Sequence, residues 1–456
     1  MIEIKDRLRR RCSNAVMWTF YPELLAANVP RYTSYPTAVE FSDQVGGEAF
    51  NKAVDEVPAD APISLYLHIP YCREICWYCG CNTGAASKEK RLTSYLAALE
   101  TEIIQVAERL DGRGRVKHIA FGGGSPNAIS PVEFVRLMDR VQTMFTCDDP
   151  QISVELDPRI FSVEWAATLA RCGVSRVSLG VQSFSETIQR AIGRIQPLHM
   201  IENCMWQLRE TGIKGINFDL MYGLPGQSQQ DLLETLEITA GLAPDRIALF
   251  GYAHMPQLFP RQRRIDDSAL PDSAERFAMA ELGYDYFTKA GYTAIGFDHF
   301  AKPGDSLSVA ARSGMLRRNF QGFTDDSSDT LIAMGASAIS HFPDAIIQNA
   351  KNVGDYRALT CAHKVCATRG VVRKSDDQLR GKLIENLLCT GNSGLLPCDL
   401  QDEVAAGLQL FTERGLARLK EGCIVIEPDG IAYSRAVAAL LDAHRQPATR
   451  QFSPAV

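Results

Sequence analysis

Three cysteines have the type and spacing to do chemistry. In the stretch YLHIPYCREICWYCGCN, residues 66–82, Cys72, Cys76 and Cys79 form a C-x-x-x-C-x-x-C pattern, and Cys81 follows two residues later. Soft thiolates crowded on one loop suit an iron–sulfur cluster better than a disulfide or a hard cation. Three protein ligands on a four-iron cluster leave one iron open to a substrate or cofactor, which marks chemistry rather than electron storage. Two other readings of these residues stay open: unrelated cysteines in a cysteine-rich chain, or a zinc site with Cys81 as the fourth ligand. Structural zinc sites ordinarily pair two knuckles across a loop, and the sequence has no second knuckle.

Such a loop needs a scaffold, and the sequence supplies one in series. An apolar run at residues 63–69 leads into the cysteines, and further runs follow in HIAFGG, ISVELD, RVSLGVQ, GINFDLMYG and RIALFGYA. Between them lie stretches such as LTSYLAALETEIIQVAERL and PVEFVRLMDRVQTMF, apolar at i, i+3, i+4 and i+7. Six strand–helix units in succession predict a parallel sheet covered by helices, with chemistry at the C-terminal strand ends.

Unusual residues cluster at those ends. Gly122, Gly123, Gly124 and Ser125 close the second run; they form either a tight turn or bare backbone that a ligand can touch. Glu155, Gln182, Arg194 and Asp219 are polar at or just beyond apolar runs, and Asp219, beside Leu220 and Met221, needs a partner. Arg261, Arg263, Arg264, Arg317 and Arg318 are either solvated surface charge or cations for an acidic substrate. His254 and His299 read as structural.

The 456 residues are 46% hydrophobic with a formal net charge of −6, enough for a large core and unsuited to general nucleic-acid or anionic-membrane binding. Thirteen scattered cysteines, and an N-terminus MIEIKDRLRRRC without an apolar leader, predict the reducing cytoplasm. No run is long enough to span a membrane. Residues 1–60 read as an arm that must lean on something else. GYTAIGFDHFAKPGD and RRNFQGFTD read as loop-rich cover, and IAMGASAISHF as either a packed strand or a small-residue surface for an adenosine. After residue 370, two helical patterns and a hairpin signal centred on Pro428, Asp429 and Gly430 read as a winged-helix-like module.

The cysteine loop behind YLHIP resembles that of the radical S-adenosylmethionine (SAM) enzymes. The aromatic Tyr78 and the ending Gly80-Cys81-Asn82 resemble the oxygen-independent coproporphyrinogen III oxidases in particular, and similar stretches run from RYTSYPTA to about residue 349. The resemblance implies an α/β fold: an open (β/α)6 partial TIM-like barrel over 61–300, a covering segment at 301–369, a mostly helical, winged-helix-like domain at 370–456, and the arm 1–60 near the substrate. It implies a [4Fe–4S] cluster on Cys72, Cys76 and Cys79, and two SAM molecules. The first would lie against Tyr66, Gly123, Gly124, Ser125, Glu155 and Ile339, the second against Tyr78, Gln182, Arg194, Asp219 and Ala253. Arg31 would pair with a substrate propionate, and Cys81 would serve turnover rather than the cluster.

The implied reaction converts two propionates of coproporphyrinogen III to the vinyl groups of protoporphyrinogen IX without oxygen. A 5′-deoxyadenosyl radical from SAM takes a propionate β-hydrogen, and carbon dioxide and one electron leave. The electron donor and acceptor are not identified by the sequence, and a monomer is expected. Rivals are a haem-binding radical SAM chaperone, usually shorter and without the RYTSYPTA arm and Cys81, and a radical SAM methyltransferase that opens the haem ring. Two stretches depart from the family's usual pattern: GGGSPN in place of GGGTPT, and ENLLCTGNSGLL in the C-terminal domain.

Overall fold

The computed structural model describes residues 18–86 and 89–445; the N-terminal residues that carry the leader argument lie outside them. Each of the six apolar runs forms a strand: β1 (Pro62–Ile69), β2 (Arg115–Gly123), β3 (Cys147–Leu156), β4 (Val174–Gln182), β5 (Gly215–Tyr222) and β6 (Arg246–Gly251). They lie side by side in chain order and all run parallel. Helices α1 (Glu89–Leu110), α2 (Pro131–Met144), α3 (Val163–Arg171), α4 (Leu198–Glu210), α5 (Gln229–Leu242) and α6 (Ser273–Lys289) return the chain between and after them. Capping boxes at Ser130/Glu133 and Ser228/Asp231 start α2 and α5 by satisfying orphan backbone N–H groups. Helix α1 buries Leu92, Leu96, Leu99, Ile103, Val106 and Leu110, a stripe at helical spacing that packs on the sheet.

The sheet does not close. A seventh parallel strand, β7 (Thr330–Met334), adds to the β1 edge, and antiparallel strands Ile339–His341, Ala345–Asn349 and Ala367–Val372 extend it. At the β6 edge lie His299–Ala301 and Thr293–Ile295, giving 12 strands whose two end strands do not pair. This is the open barrel expected. One correction concerns the cover. GYTAIGFDHFAKPGD and RRNFQGFTD hold ordered strands of three residues each, too short for alternation to show in sequence. The start of IAMGASAISHF, residues 332–334, takes the packed-strand reading, since every residue of β7 is buried, whereas Ile339 is half-buried in the next strand.

Helices Ser375–Thr390, Cys398–Thr412 and the short Ser434–Ala438, with a three-stranded sheet, make the C-terminal part. Its hairpin joins Ala417–Lys420 to Cys423–Ile426, so the turn is Glu421-Gly422 and not Pro428-Asp429-Gly430. Glu421 and Gly422 both take positive φ, 52° and 76°, the conformation a two-residue hairpin demands. Pro428 instead opens a 3-10 turn, where its missing N–H costs nothing. The arm leans on both bodies. Trp18, Leu25, Val29 and Tyr32 join the core of the C-terminal helices, while Phe50, Val54 and Val57 join the barrel core. No helix of the described residues is long and apolar enough to cross a membrane.

Candidate active site

Strand β1 ends at Ile69, and the chain enters the cysteine loop across the mouth of the barrel. Glycines fix the approach. Gly124 donates its N–H to the Ile69 carbonyl at 2.8 Å, and a Cβ there would stand 2.5 Å from the Tyr71 carbonyl oxygen. Gly123 takes φ +112°, and a Cβ on it would stand 2.5 Å from the His68 ring. Only glycine fits both constraints. Ser125 donates its N–H to the Tyr71 carbonyl and its hydroxyl to Cys72 Sγ, at 2.8 and 3.6 Å. The far side of the loop is tied by Arg261, which donates to the Thr83 hydroxyl and carbonyl at 2.8 and 3.0 Å. The Gln262 amide donates to the carbonyls of Tyr78 and Ala253, at 2.7 and 3.1 Å.

The thiols differ in surroundings. Cys76 Sγ accepts from Arg194 Nη1 at 3.3 Å and Arg159 Nη2 at 3.4 Å, both guanidiniums being buried on Asp157. Burial pushes the Cys72 thiol up to about 11. A hydrogen bond from the Cys81 thiol holds Cys79 below its ordinary range and, in return, pushes Cys81 well above its own. The Cys81 N–H adds a 3.3 Å contact to Cys79 Sγ. Among the described residues, no three His, Cys, Asp or Glu side chains converge on a single-ion site.

A cavity of about 400 Å³ opens beside the loop, lined by Cys72, Cys76, Cys79 and Cys81 and by the strand ends facing them. The structure brings Tyr78, Gly123, Gly124, Ser125, Glu155, Gln182, Arg194, Asp219 and Ala253 to its wall, with Arg31 at one side. Glu155 points into it and not into the core; burial, then the neighbouring Asp219, push its carboxyl up to about 7, although the Gly123 N–H at 3.2 Å pulls the other way. Asp219 finds its partners within the chain, the Ser178 hydroxyl at 2.7 Å and the Asn217 amide at 2.8 Å, while burial raises its pKa. Gln182 takes φ +65° at the end of β4, a strained conformation for this residue type.

Two sequence candidates lie elsewhere. Ile339 lines a separate cavity on the other side of Arg31. Tyr66 is buried and lines neither cavity, its hydroxyl 3.1 Å from His68 Nδ1 and its ring edge-on to Phe320. Of the RQRR arginines, Arg261 reaches the cysteine cavity and Arg264 lies over the Trp77 ring at 4.2 Å. His254 and His299 bond to Tyr252 and Asp298, as structural residues do.

A family model described as the radical SAM superfamily matches residues 66–238. The chain is 40% identical to the oxygen-independent coproporphyrinogen III oxidase of Bradyrhizobium diazoefficiens, over 94% of this chain and 97% of that one. It is 37% identical to the Escherichia coli protein of the same name, over 88% of each. The solved coproporphyrinogen III oxidase (HemN) from Escherichia coli, described as a radical SAM enzyme, superposes with a TM-score of 0.88 at 35% identity, covering 94% of this chain and 100% of that one. The chain belongs to the oxygen-independent coproporphyrinogen III oxidase family.

Similarity on that scale extends beyond residue 349 into the C-terminal part, so the oxidase family, and neither haem-handling rival, accounts for 94% of the chain. In this oxidase-family chain, sequence reasoning missed Asp157 and Arg159, which with Arg194 form the buried ion cluster under Cys76. The signal was present: Asp157 directly follows β3, ahead of a proline, at a strand end that faces the site.

Proposed function

We propose that this chain carries out the oxygen-independent oxidative decarboxylation of coproporphyrinogen III to protoporphyrinogen IX. The observation that carries this reading is the three thiols of one loop on the wall of a cavity that also presents Glu155, Asp219, Gln182 and Arg194. The donor set fits a [4Fe–4S] cluster. Cys72, Cys76 and Cys79 are soft, share a loop, and do not converge on a single ion among the described residues, and the Cys76 sulfur already receives two guanidinium N–H groups. When bound, the cluster with SAM supplies an organic radical able to take hydrogen from an unactivated carbon.

The chain's own residues bind and orient. The glycine backbone at Gly123 and Gly124, with Ser125 and Glu155, would hold a SAM on the cluster, the Glu155 carboxyl being placed to accept from an ammonium. Tyr78, Gln182, Arg194, Asp219 and Ala253 would hold a second SAM. Tyr66, whose hydroxyl meets His68, and Ile339, which lines the neighbouring cavity, would contribute to the first SAM's surroundings only from beyond the wall of the cysteine cavity. Arg31 would pair with a propionate at the junction of the two cavities. Cys81, hydrogen-bonded to Cys79, would act on the substrate side. The described cysteines are free thiols, in keeping with a reducing cytoplasm. We take the protein to act as a monomer with an external electron donor and acceptor.

The test is product analysis of anaerobically reconstituted protein given coproporphyrinogen III and, separately, haem. Protoporphyrinogen IX from the first, and unchanged haem from the second, are expected. A methylated or opened haem would overturn the proposal.

A further inference from the structure

The larger of the two cavities, about 640 Å³, lies on the far side of Arg31 from the cysteine loop. Arm residues 30–39 form one wall, and residues 317–320, the β7 edge and helix Ser375–Thr390 form the others. Five cationic side chains line it, Arg31, Arg317, Arg318, Arg373 and Lys382, against three carboxylates, Asp326, Asp329 and Glu385. Those carboxylates are already engaged. Asp326 accepts from Ser64 and pairs with His118, while Glu385 and Asp329 grip Arg317 at 2.9 and 3.0 Å.

That leaves three guanidiniums. Among the described residues, Arg31, Arg318 and Arg373 have no ion pair. Arg31 donates to the Gly251 carbonyl at 3.0 Å, and Arg318 Nη2 donates to the Arg31 carbonyl at 3.1 Å. Arg373 Nη1 donates to the Pro343 carbonyl at 3.0 Å, whereas Arg318 Nε and Nη1 and Arg373 Nε are buried with no acceptor among the described residues. Buried charged donors of this kind are costly unless an anion completes them, and the planar guanidinium fork matches a carboxylate. The cavity falls within the roughly 300–1,000 Å³ of small-molecule sites. Guanidiniums at separate points of its wall suit several carboxylates carried on one frame better than a single anion.

We propose, resting on the reading that the substrate is a tetrapyrrole with four propionates, that this cavity holds the propionates not undergoing reaction. Arg318 and Arg373 are their receptors, and Arg31 stands at the threshold to the cysteine loop. The pocket then sets which propionate reaches the loop, because the anchored ones fix the ring's orientation.

The experiment uses coproporphyrin III, a stable aromatic relative of the substrate, and its uncharged tetramethyl ester. Binding of both to wild type, Arg373→Gln and Arg318→Gln is measured by fluorescence quenching, alongside kcat and KM for coproporphyrinogen III. Kd for coproporphyrin III and KM should rise about tenfold or more in each variant, with kcat changed less and ester binding unchanged. Arg318 also lies 4.4 Å over the Phe323 ring, so if its glutamine variant does not fold, Arg318→Lys, which keeps charge without the fork, and Arg373→Gln carry the test. Unchanged Kd and KM in those variants of an active enzyme overturn the cavity assignment and leave the decarboxylation reading standing. A wild type that neither binds coproporphyrin III nor converts coproporphyrinogen III overturns both.

Discussion

On the cysteine side of Arg31, the buried Asp157 is gripped by Arg159 and Arg194, whose N–H groups reach Cys76, and Asp219 is satisfied by Ser178 and Asn217. On the other side, Arg317 takes two carboxylates, and Arg318 and Arg373 pair with none among the described residues. The first cavity is thus set in shape and charge by the chain itself, as a site for a resident cofactor should be. The second leaves guanidiniums without carboxylate partners among the described residues, which suits a site that must bind and release an anion. Each half of this contrast can be broken separately.

The largest effect falls on the thiols. Cys72→Ala, Cys76→Ala or Cys79→Ala should each abolish iron–sulfur content and turnover, whereas Cys81→Ser should keep the iron and lose turnover. Iron and acid-labile sulfide analysis decides it, and full iron retention in any of the first three would remove the cluster assignment. Next comes the ion cluster. Asp157→Ala leaves the buried Arg194 without a carboxylate and Arg159 with Glu74 alone, and should destabilise the fold by about 3–5 kcal/mol in denaturant titration. Although burial opposes it, Arg194 and Arg159 together hold the Asp157 carboxyl below its usual range. Its stabilisation should therefore be full above the unfolded value of 3.8 and fade as the pH falls through its lower folded value.

Glu155 has the opposite sign. Its folded value of about 7 lies above the ordinary 4.5, so the folded protein holds this proton more tightly than the unfolded chain does. Cofactor-free protein should lose about 1–3 kcal/mol as pH rises from 4.5 through 7, and Glu155→Gln should remove that loss. Matching pH–stability curves for the two proteins would show that the carboxyl is not desolvated by the cavity. The smallest change sharpens the second cavity. Glu385→Gln frees Arg317 of one partner, and should cost about 1 kcal/mol of stability while tightening coproporphyrin III binding severalfold. Weakened binding with stability intact would mean that Glu385 itself serves the ligand.

The sequence makes these two regions legible to different degrees. The strands that carry the cysteine cavity are long, apolar and regularly spaced, and their terminal Gly123, Glu155, Gln182 and Asp219 reach one wall as their positions predict. The second cavity is assembled from the arm, three-residue strands and a C-terminal helix, far apart in the chain. Arg373 and Glu385 therefore carry no local mark of belonging together with Arg31. The misplaced hairpin has a similar origin. Glutamate seldom takes positive φ, so Glu421-Gly422 is a weak turn signal beside the stronger-looking Pro-Asp-Gly, which the fold uses as a 3-10 turn.

The central claim is that the radical formed beside the cysteine loop takes hydrogen from a propionate β-carbon. Coproporphyrinogen III deuterated at that position, incubated anaerobically with reconstituted enzyme, reductant and SAM, allows the transfer to be read by mass spectrometry of the 5′-deoxyadenosine released. The account predicts deuterium in 5′-deoxyadenosine together with loss of two carboxyl groups per tetrapyrrole. Decarboxylated product accompanied by unlabelled 5′-deoxyadenosine would contradict it.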